Sequence, residues 1–474
     1  MSDICFHSAV KIAEAIRSKA ISARELVEIH LSRIAATSAS INAVVRLAEE
    51  RAMEEARKAD EMTAGGNSLG ALHGVPITIK DSLDCAGIIS TGGTTGRVHF
   101  VPETDATVVS KLRQAGAIVL GKTNTPELTM SGETDNLIYG RTNNPFDIAC
   151  STGGSSGGSA ANLAVGGAAL DVGSDTGGSI REPAHYCGVA GLKPSAGRIS
   201  RSGHIVPYGM GAVDALTHLG PMARSVGDLA LALPIMCGPD WKDPSVVPMT
   251  LGRLEDVIVG DLRVACYTDD GVTSLAPEIA AAVERTATSL SKEGIDISWT
   301  RPDGLEEAAR IVSRLRQADG GAMRQRLLAR MGTPAPGPHL TDCFLESTAL
   351  NGEDYSRVLE EADQARSRML GFFRHYDAIL CPVSFRLAPP HGSTKNDTFL
   401  MWSYSMVYNL TGWPSTAVPV GRSESGLPIG VQVVAAPWRE DISLALGARI
   451  EKLTDGFVPP PLVHNNEPTN DPHR

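Results

Sequence analysis

A lysine closing an apolar run and two serines inside glycine-rich loops are the residues of this chain best placed to do chemistry. The lysine is Lys80, in Gly74-Val75-Pro76-Ile77-Thr78-Ile79-Lys80-Asp81. The serines are Ser155, in Gly153-Gly154-Ser155-Ser156-Gly157-Gly158, and Ser179, in Asp175-Thr176-Gly177-Gly178-Ser179-Ile180-Arg181. A serine hydroxyl is a weak nucleophile until a base takes its proton, and a neutral amine is one such base. Lysine titrates near ~10.4 in water, so it serves near neutrality only if its surroundings bring it down to about 7–8. Glycine lets backbone N–H groups approach a ligand closely, and consecutive inward N–H groups form an anion-binding nest. The amides of Thr176, Gly177, Gly178 and Ser179 are therefore the expected oxyanion donors, on the same loop as a nucleophile. Taken singly, each segment has a plainer reading: a surface lysine at a strand end, and tight-packing glycine turns.

Together the three segments resemble the amidase-signature family. The run from Gly153 to Ala184 is similar to its defining signature, and the spacings from Lys80 to Ser155 and from Ser155 to Ser179 match its members. The likeness extends to Gly121-Lys122-Thr123-Asn124, Asn144-Pro145, Gly191-Leu192-Lys193-Pro194, Gly220-Pro221-Met222-Ala223-Arg224 and Gly412-Trp413-Pro414, and weakens between about 240 and 370. The resemblance implies a Ser–cisSer–Lys triad. Ser179 would attack the acyl carbon, Ser155, carried on a cis peptide, would relay the proton, and Lys80 would be the base. It also implies hydrolysis of a C–N acyl bond, with amides, carbamates (urethanes) and esters presenting similar carbonyls to the same machinery. Asp175 and Arg181 are expected to pair and hold the loop's shape, and Ser156 to hydrogen-bond within the site. Met130, Ser131, Tyr139 and Gly153 are the expected substrate contacts, with Tyr208, Met210, Trp402 and Trp413 as further apolar candidates. Their character favours an apolar or aryl substrate.

Two other readings compete. Gly153-Gly154-Ser155-Ser156-Gly157 also fits G-x-S-x-G, the nucleophile elbow of α/β-hydrolases, which would make Ser155 the nucleophile. That elbow needs a strand directly before it, and Asn143-Asn144-Pro145 with Ser151-Thr152 make a poor one. A Walker phosphate loop fails because no Gly-Lys-Ser/Thr follows the glycines. Within the resemblance, the second reading is the amidase component of a tRNA-dependent amidotransferase, which frees ammonia from glutamine for a partner. The segment Gly203 to His218 departs from that component, and no Tyr-x-x-Arg-x-Asp-Gly-x-Arg-like carboxylate clamp is found between 310 and 360. The preferred expectation is a free-standing hydrolase, monomer or homodimer, acting on a small-molecule amide or carbamate without cofactor or metal.

These groups need a rigid frame. From His73 onward, short apolar runs (Val75–Ile79, Ala117–Leu120) alternate with glycine turns and helical patterns such as Ala106–Ala115. That texture predicts an α/β domain with a central mixed sheet covered by helices on both faces. Residues 8–62 read as helices, with a capping box at Ser22-Ala23-Arg24-Glu25. Strands are expected again at Ala378–Leu380, Ser415–Val420 and Ile429–Val434, and a last helix at about 440–453. One domain spanning 1–458 is expected, with its core signature at about 74–200, a helical cap at about 275–375, and a disordered tail at 459–474. The 474 residues carry a net charge of −11, which argues against nucleic acid as a partner. The eight cysteines show no CxxC pair and read as free thiols. No basic leader with an apolar core opens the chain and no apolar run reaches membrane-span length, so a cytoplasmic protein without membrane contact is expected.

Overall fold

The computed structural model describes residues 2–211, 216–340, 348–394, 397 and 399–461. Ser22 starts the helix Ala23–Ile41 by the predicted capping box. Its Oγ accepts from the Glu25 N–H, and the Glu25 carboxylate accepts from the Ser22 N–H at 2.9 Å. Two of the donors that a helix start leaves open are thereby satisfied. Leu26, Val27, Leu31 and Ile34 form the buried face of this helix.

Eleven strands build one mixed sheet. They are β1 (Val44–Leu47), β2 (Pro76–Lys80), β3 (Ile118–Thr123), β4 (Leu170–Asp175), β5 (Ala190–Lys193), β6 (His218–Ala223), β7 (Arg263–Cys266), β8 (Asp296–Trp299), β9 (Ala378–Pro382), β10 (Ser415–Arg422) and β11 (Pro428–Ala435). Their order is β1-β3-β2-β4-β6-β5-β10-β11-β9-β7-β8. Three strands at one side, β3, β2 and β4, run parallel to one another, as do β9, β7 and β8 at the other; antiparallel pairs join the two groups.

Successive strand residues go to opposite faces. Val264, Leu380 and Val433 pack beneath the helices Val226–Met236, Pro277–Lys292 and Glu440–Leu453. Their neighbours Ala265, Ile379 and Val434 join Leu305, Val312, Val358, Tyr408 and Trp413 on the other face. Both faces are therefore dry, and the strands read as unbroken apolar runs.

The two edge strands, β1 and β8, are not foreseen. Each has four residues, none buried, and pairs along one side only, so neither carries an apolar signature. β8 lies among the helices Pro277–Lys292, Leu305–Gln317, Ala322–Met331 and Gly352–Leu370 of the 275–375 region. Of the tail expected from Pro459, residues 462–474 lie outside the described ones. Seven cysteines are described, all unpaired. Among the described residues no helix is long and apolar enough to cross a membrane.

The sheet matters to function through one juxtaposition. β2 and β4 are parallel neighbours, with Ile77 opposite Leu170, so their C-terminal ends emerge at the same edge. Ligand sites of open α/β sheets form outside such ends. Here β2 ends in Lys80, while β4 ends in Asp175 and feeds the loop that carries Ser179.

Candidate active site

Lys80 is fully buried, with three hydroxyls around its amine. Nζ lies 2.7 Å from Ser155 Oγ, 2.9 Å from Ser156 Oγ and 2.9 Å from Ser174 Oγ. Burial pushes its pKa well below the ordinary lysine value, against the pull of the Asp175 and Asp171 carboxylates. The amine is thus shielded from water and ringed by three hydroxyls within hydrogen-bond distance.

Ser155 follows Gly154 through a cis peptide and is itself buried. Thr125 Oγ1 donates to its carbonyl at 2.9 Å, and the helix Gly157–Ala164 begins two residues later. No strand leads into it, and its hydroxyl faces the lysine, so the geometry of a nucleophile elbow is absent here. Ser156, expected to bond within the site, also accepts from the Ser174 N–H at 3.3 Å, tying the serine loop to β4.

Ser179 is half-buried on the wall of a cavity of about 40 Å³ that Gly154, Gly177 and Gly178 also line. Its carbonyl accepts from the Ser156 N–H at 3.2 Å, which joins the two serine loops. Among the described residues its hydroxyl makes no hydrogen bond to Ser155 or Lys80.

The loop's shape rests on Asp175 and Arg181. Arg181 grips Asp175 through Nε to Oδ2 at 3.0 Å and Nη2 to Oδ1 at 2.9 Å, both side chains fully buried. The same carboxylate accepts from Ile180 N–H at 3.1 Å and from Gly178 N–H at 2.9 Å. The second bond corrects one expectation. With its amide committed to Asp175, Gly178 drops out of the oxyanion donors, leaving Thr176, Gly177 and Ser179. Asn409, the carbonyl of Ser405 and Gln432 Oε1 complete the guanidinium's contacts, so the helix Ser403–Leu410 braces the loop from behind.

The expected substrate contacts divide. Ser131 lines the cavity, and Met130 lines a wider space of about 430 Å³ that Ser131 also borders. Tyr139 belongs elsewhere: Arg46 Nε donates to its hydroxyl at 2.9 Å and the guanidinium covers its ring. Gly153 is also displaced, since its carbonyl accepts from Thr134 Oγ1 at 2.9 Å and its Cα packs on Tyr186; the neighbouring Gly154 takes the cavity position. Trp402 is a wall residue, whereas Trp413 and Met210 are core and Tyr208 is half-buried away from the cavity wall.

Four participants were missed from sequence. Ser174 touches the lysine amine directly. Asp171 lies below it, bonded to Thr78 Oγ1 at 2.6 Å and Thr123 Oγ1 at 3.2 Å, with burial raising its pKa to about 6. Met406 lines the cavity, as does Arg316, a half-buried side chain whose guanidinium lies beside Gly177. The alternation of β4 was the available signal for Asp171; for the other three there was none short of the fold. Among the described residues no group of His, Cys, Asp and Glu is placed to hold a metal ion.

Comparison with known proteins adds to this geometry. A family model described as Amidase matches residues 25–444. The A subunit of glutamyl-tRNA(Gln) amidotransferase from Synechococcus sp. is 34% identical, the match covering 94% of this chain and 96% of that protein. Indoleacetamide hydrolase of Bradyrhizobium diazoefficiens is also 34% identical, over 94% of this chain and 86% of its own length. Among solved structures, a fatty acid amide hydrolase superimposes with a TM-score of 0.87 at 28% identity, covering 95% of this chain and 85% of the other.

Proposed function

The chain belongs to the amidase family, as a hydrolase of carbon–nitrogen bonds, and from that premise we propose that it cleaves an apolar or aryl amide or carbamate through an acyl-enzyme on Ser179. The observation that supports this reading most is the buried Lys80 amine, 2.7 Å from Ser155 Oγ, with its pKa pushed well down. A neutral amine there accepts the Ser155 hydroxyl proton as Ser155 takes that of Ser179. The Ser179 oxygen then bonds to the carbonyl carbon, and the displaced electron pair becomes an oxyanion facing the loop amides of Thr176, Gly177 and Ser179. As the C–N bond breaks, the proton on Lys80 returns through Ser155 to the leaving nitrogen. Water repeats the sequence on the acyl-enzyme and frees the acid. Removing one oxyanion donor in such sites costs about 10²–10³ in rate, so the loop's rigidity is part of catalysis.

A second reading is glutamine deamidation on behalf of a partner. Two observations favour it: the 34% identity to an amidotransferase component, and the Arg316 guanidinium in the cavity wall, where it would face a substrate carboxylate.

The test is a fluorophosphonate probe followed by peptide mapping, alongside a panel of anilides, aliphatic amides, carbamates and esters. Labelling should fall on Ser179, Ser179→Ala should lose it together with at least about 10⁴-fold in turnover, and an aryl amide or carbamate should be the best substrate. Labelling that survives Ser179→Ala but vanishes in Ser155→Ala would instead make Ser155 the nucleophile.

A further inference from the structure

Glu182 has no part in the proton relay, yet it lies between the Ser179 loop and the cavity wall. It is 2% exposed. Its N–H donates to the Gly178 carbonyl at 2.7 Å, and its Cγ packs on Gly178, where an added Cβ would stand 3.3 Å away. Its carboxylate accepts from Trp402 Nε1 at 2.6 Å. Trp402 comes from the opposite end of the sequence, at the close of the short turn Phe399–Trp402, and borders the cavity. The ring atoms next to that N–H, Cε2 and Cζ2, lie against Gly132, so closely that a Cβ there would come within 2.6 Å of Cζ2. The indole is thus held along its Nε1–Cε2–Cζ2 edge, by a hydrogen-bonded carboxylate and a glycine backbone.

A carboxyl group buried this deeply is expensive, and burial raises the Glu182 pKa to about 8. An apolar side chain would fill the position without that cost. What it would lack is an acceptor for the indole N–H, a donor that usually finds a partner when buried.

We propose that Trp402 is the specificity-determining wall of the acyl pocket and that Glu182 is its positioning residue, holding the ring in the wall of the cavity that Ser179 borders. This rests on the acyl-enzyme reading above. The assignment to the acyl side follows from shape. The leaving amine must depart while the acyl group stays on Ser179, and the wider space past Ser131 suits departure. The narrower part, walled by Trp402 and Met406, suits the group that remains, and its planar apolar face fits an aryl or branched acyl chain.

The experiment compares kcat/KM for phenylacetyl and acetyl p-nitroanilides, which share one leaving group, in the wild type and four variants. Trp402→Ala should shift the phenylacetyl/acetyl ratio by about tenfold or more, the range a hydrophobic pocket contact controls. Trp402→Phe keeps a ring but loses the N–H and should shift it in the same direction by less. Glu182→Leu should follow Trp402→Phe, while Glu182→Gln, whose amide oxygen still accepts, should stay within about threefold of wild type. Should Glu182→Leu fail to fold, Trp402→Phe alone decides. Ratios unchanged in Trp402→Ala, or in Trp402→Phe and Glu182→Leu together, overturn the proposal. Fluorophosphonate labelling of Ser179 is followed in every protein. Its absence in the wild type would strike the acyl-enzyme reading, whereas retained labelling with unchanged ratios strikes this inference alone.

Discussion

At the scale of single residues, the site turns on what burial does to one amine. Lys80 is useful as a base only when neutral, and removal from water favours the neutral form. The nearby carboxylates of Asp171 and Asp175 work in the opposite direction and raise its pKa. The sign of the pH dependence follows. Because the working form is deprotonated, kcat/KM should fall as pH drops through the apparent pKa of the Lys–Ser–Ser unit and level off above it. Replacing Asp171 by Asn removes a charge that favours the ammonium, so the acid limb should move to lower pH, by up to about one unit. Lys80→Met should remove the limb along with most activity. A pH–rate series on these two variants checks both; an acid limb that moves upward in Asp171→Asn, or persists in Lys80→Met, contradicts the assignment of Lys80 as base.

At the scale of elements, β2 and β4 bring the lysine and the nucleophile loop to one edge, and the Asp175–Arg181 pair fixes how the chain leaves β4. A buried pair of this kind is costly to break from one side, because the remaining charge has no partner. Arg181→Ala should therefore destabilise the fold by about 3–5 kcal/mol, read as a fall in denaturant midpoint. Arg181→Lys, which keeps the charge and loses the planar fork, should recover part of this. Equal midpoints in Arg181→Ala and wild type would show that the loop is held by other contacts. Elements of this kind differ in how far the sequence discloses them. β2, β3, β9, β10 and β11 are legible because burial on both faces leaves apolar runs between turns. β1 and β8 are not, because an edge strand exposed on one side needs no such run. The same contrast holds within the site. Lys80, Ser155 and Ser179 stand in motifs with fixed spacing, and the structure places Lys80 in contact with Ser155 and opens Ser179 to the cavity. Met406 and Arg316 reach that cavity only through long-range packing, which leaves no local pattern, and Trp402 stands among four apolar candidates of which it alone lines the cavity. Tyr139 lines neither space beside Ser179, its hydroxyl and ring being engaged by Arg46.

At the scale of the whole molecule, the question is whether the chain acts alone or as part of an assembly. A glutamine substrate presents a carboxylate and an ammonium, and each needs an oppositely charged partner once desolvated. Arg316 offers a partner for the first, but among the described residues lining the narrower cavity none is acidic. Glu127, Glu133 and Asp135 lie in the wider space past Ser131, so an ammonium held beside Ser179 would lose its counterpart. A charge-assisted contact of that kind is worth about 1.5–3 kcal/mol, or roughly ten- to a hundredfold in kcat/KM. An anilide carries neither charge and meets Trp402, Met406 and the glycine loops instead. The chain purified without any added partner protein is therefore expected to hydrolyse a nitroanilide, and to act on free glutamine at least about tenfold less efficiently. The two activities are measured side by side, by nitroaniline absorbance and by ammonia release, with and without a tRNA-binding partner protein. The expected outcome is anilide turnover indifferent to the partner. Strong glutaminase activity that rises when the partner is added, with no anilide cleavage, would transfer the chain to the amidotransferase reading and give Arg316 the substrate carboxylate to hold.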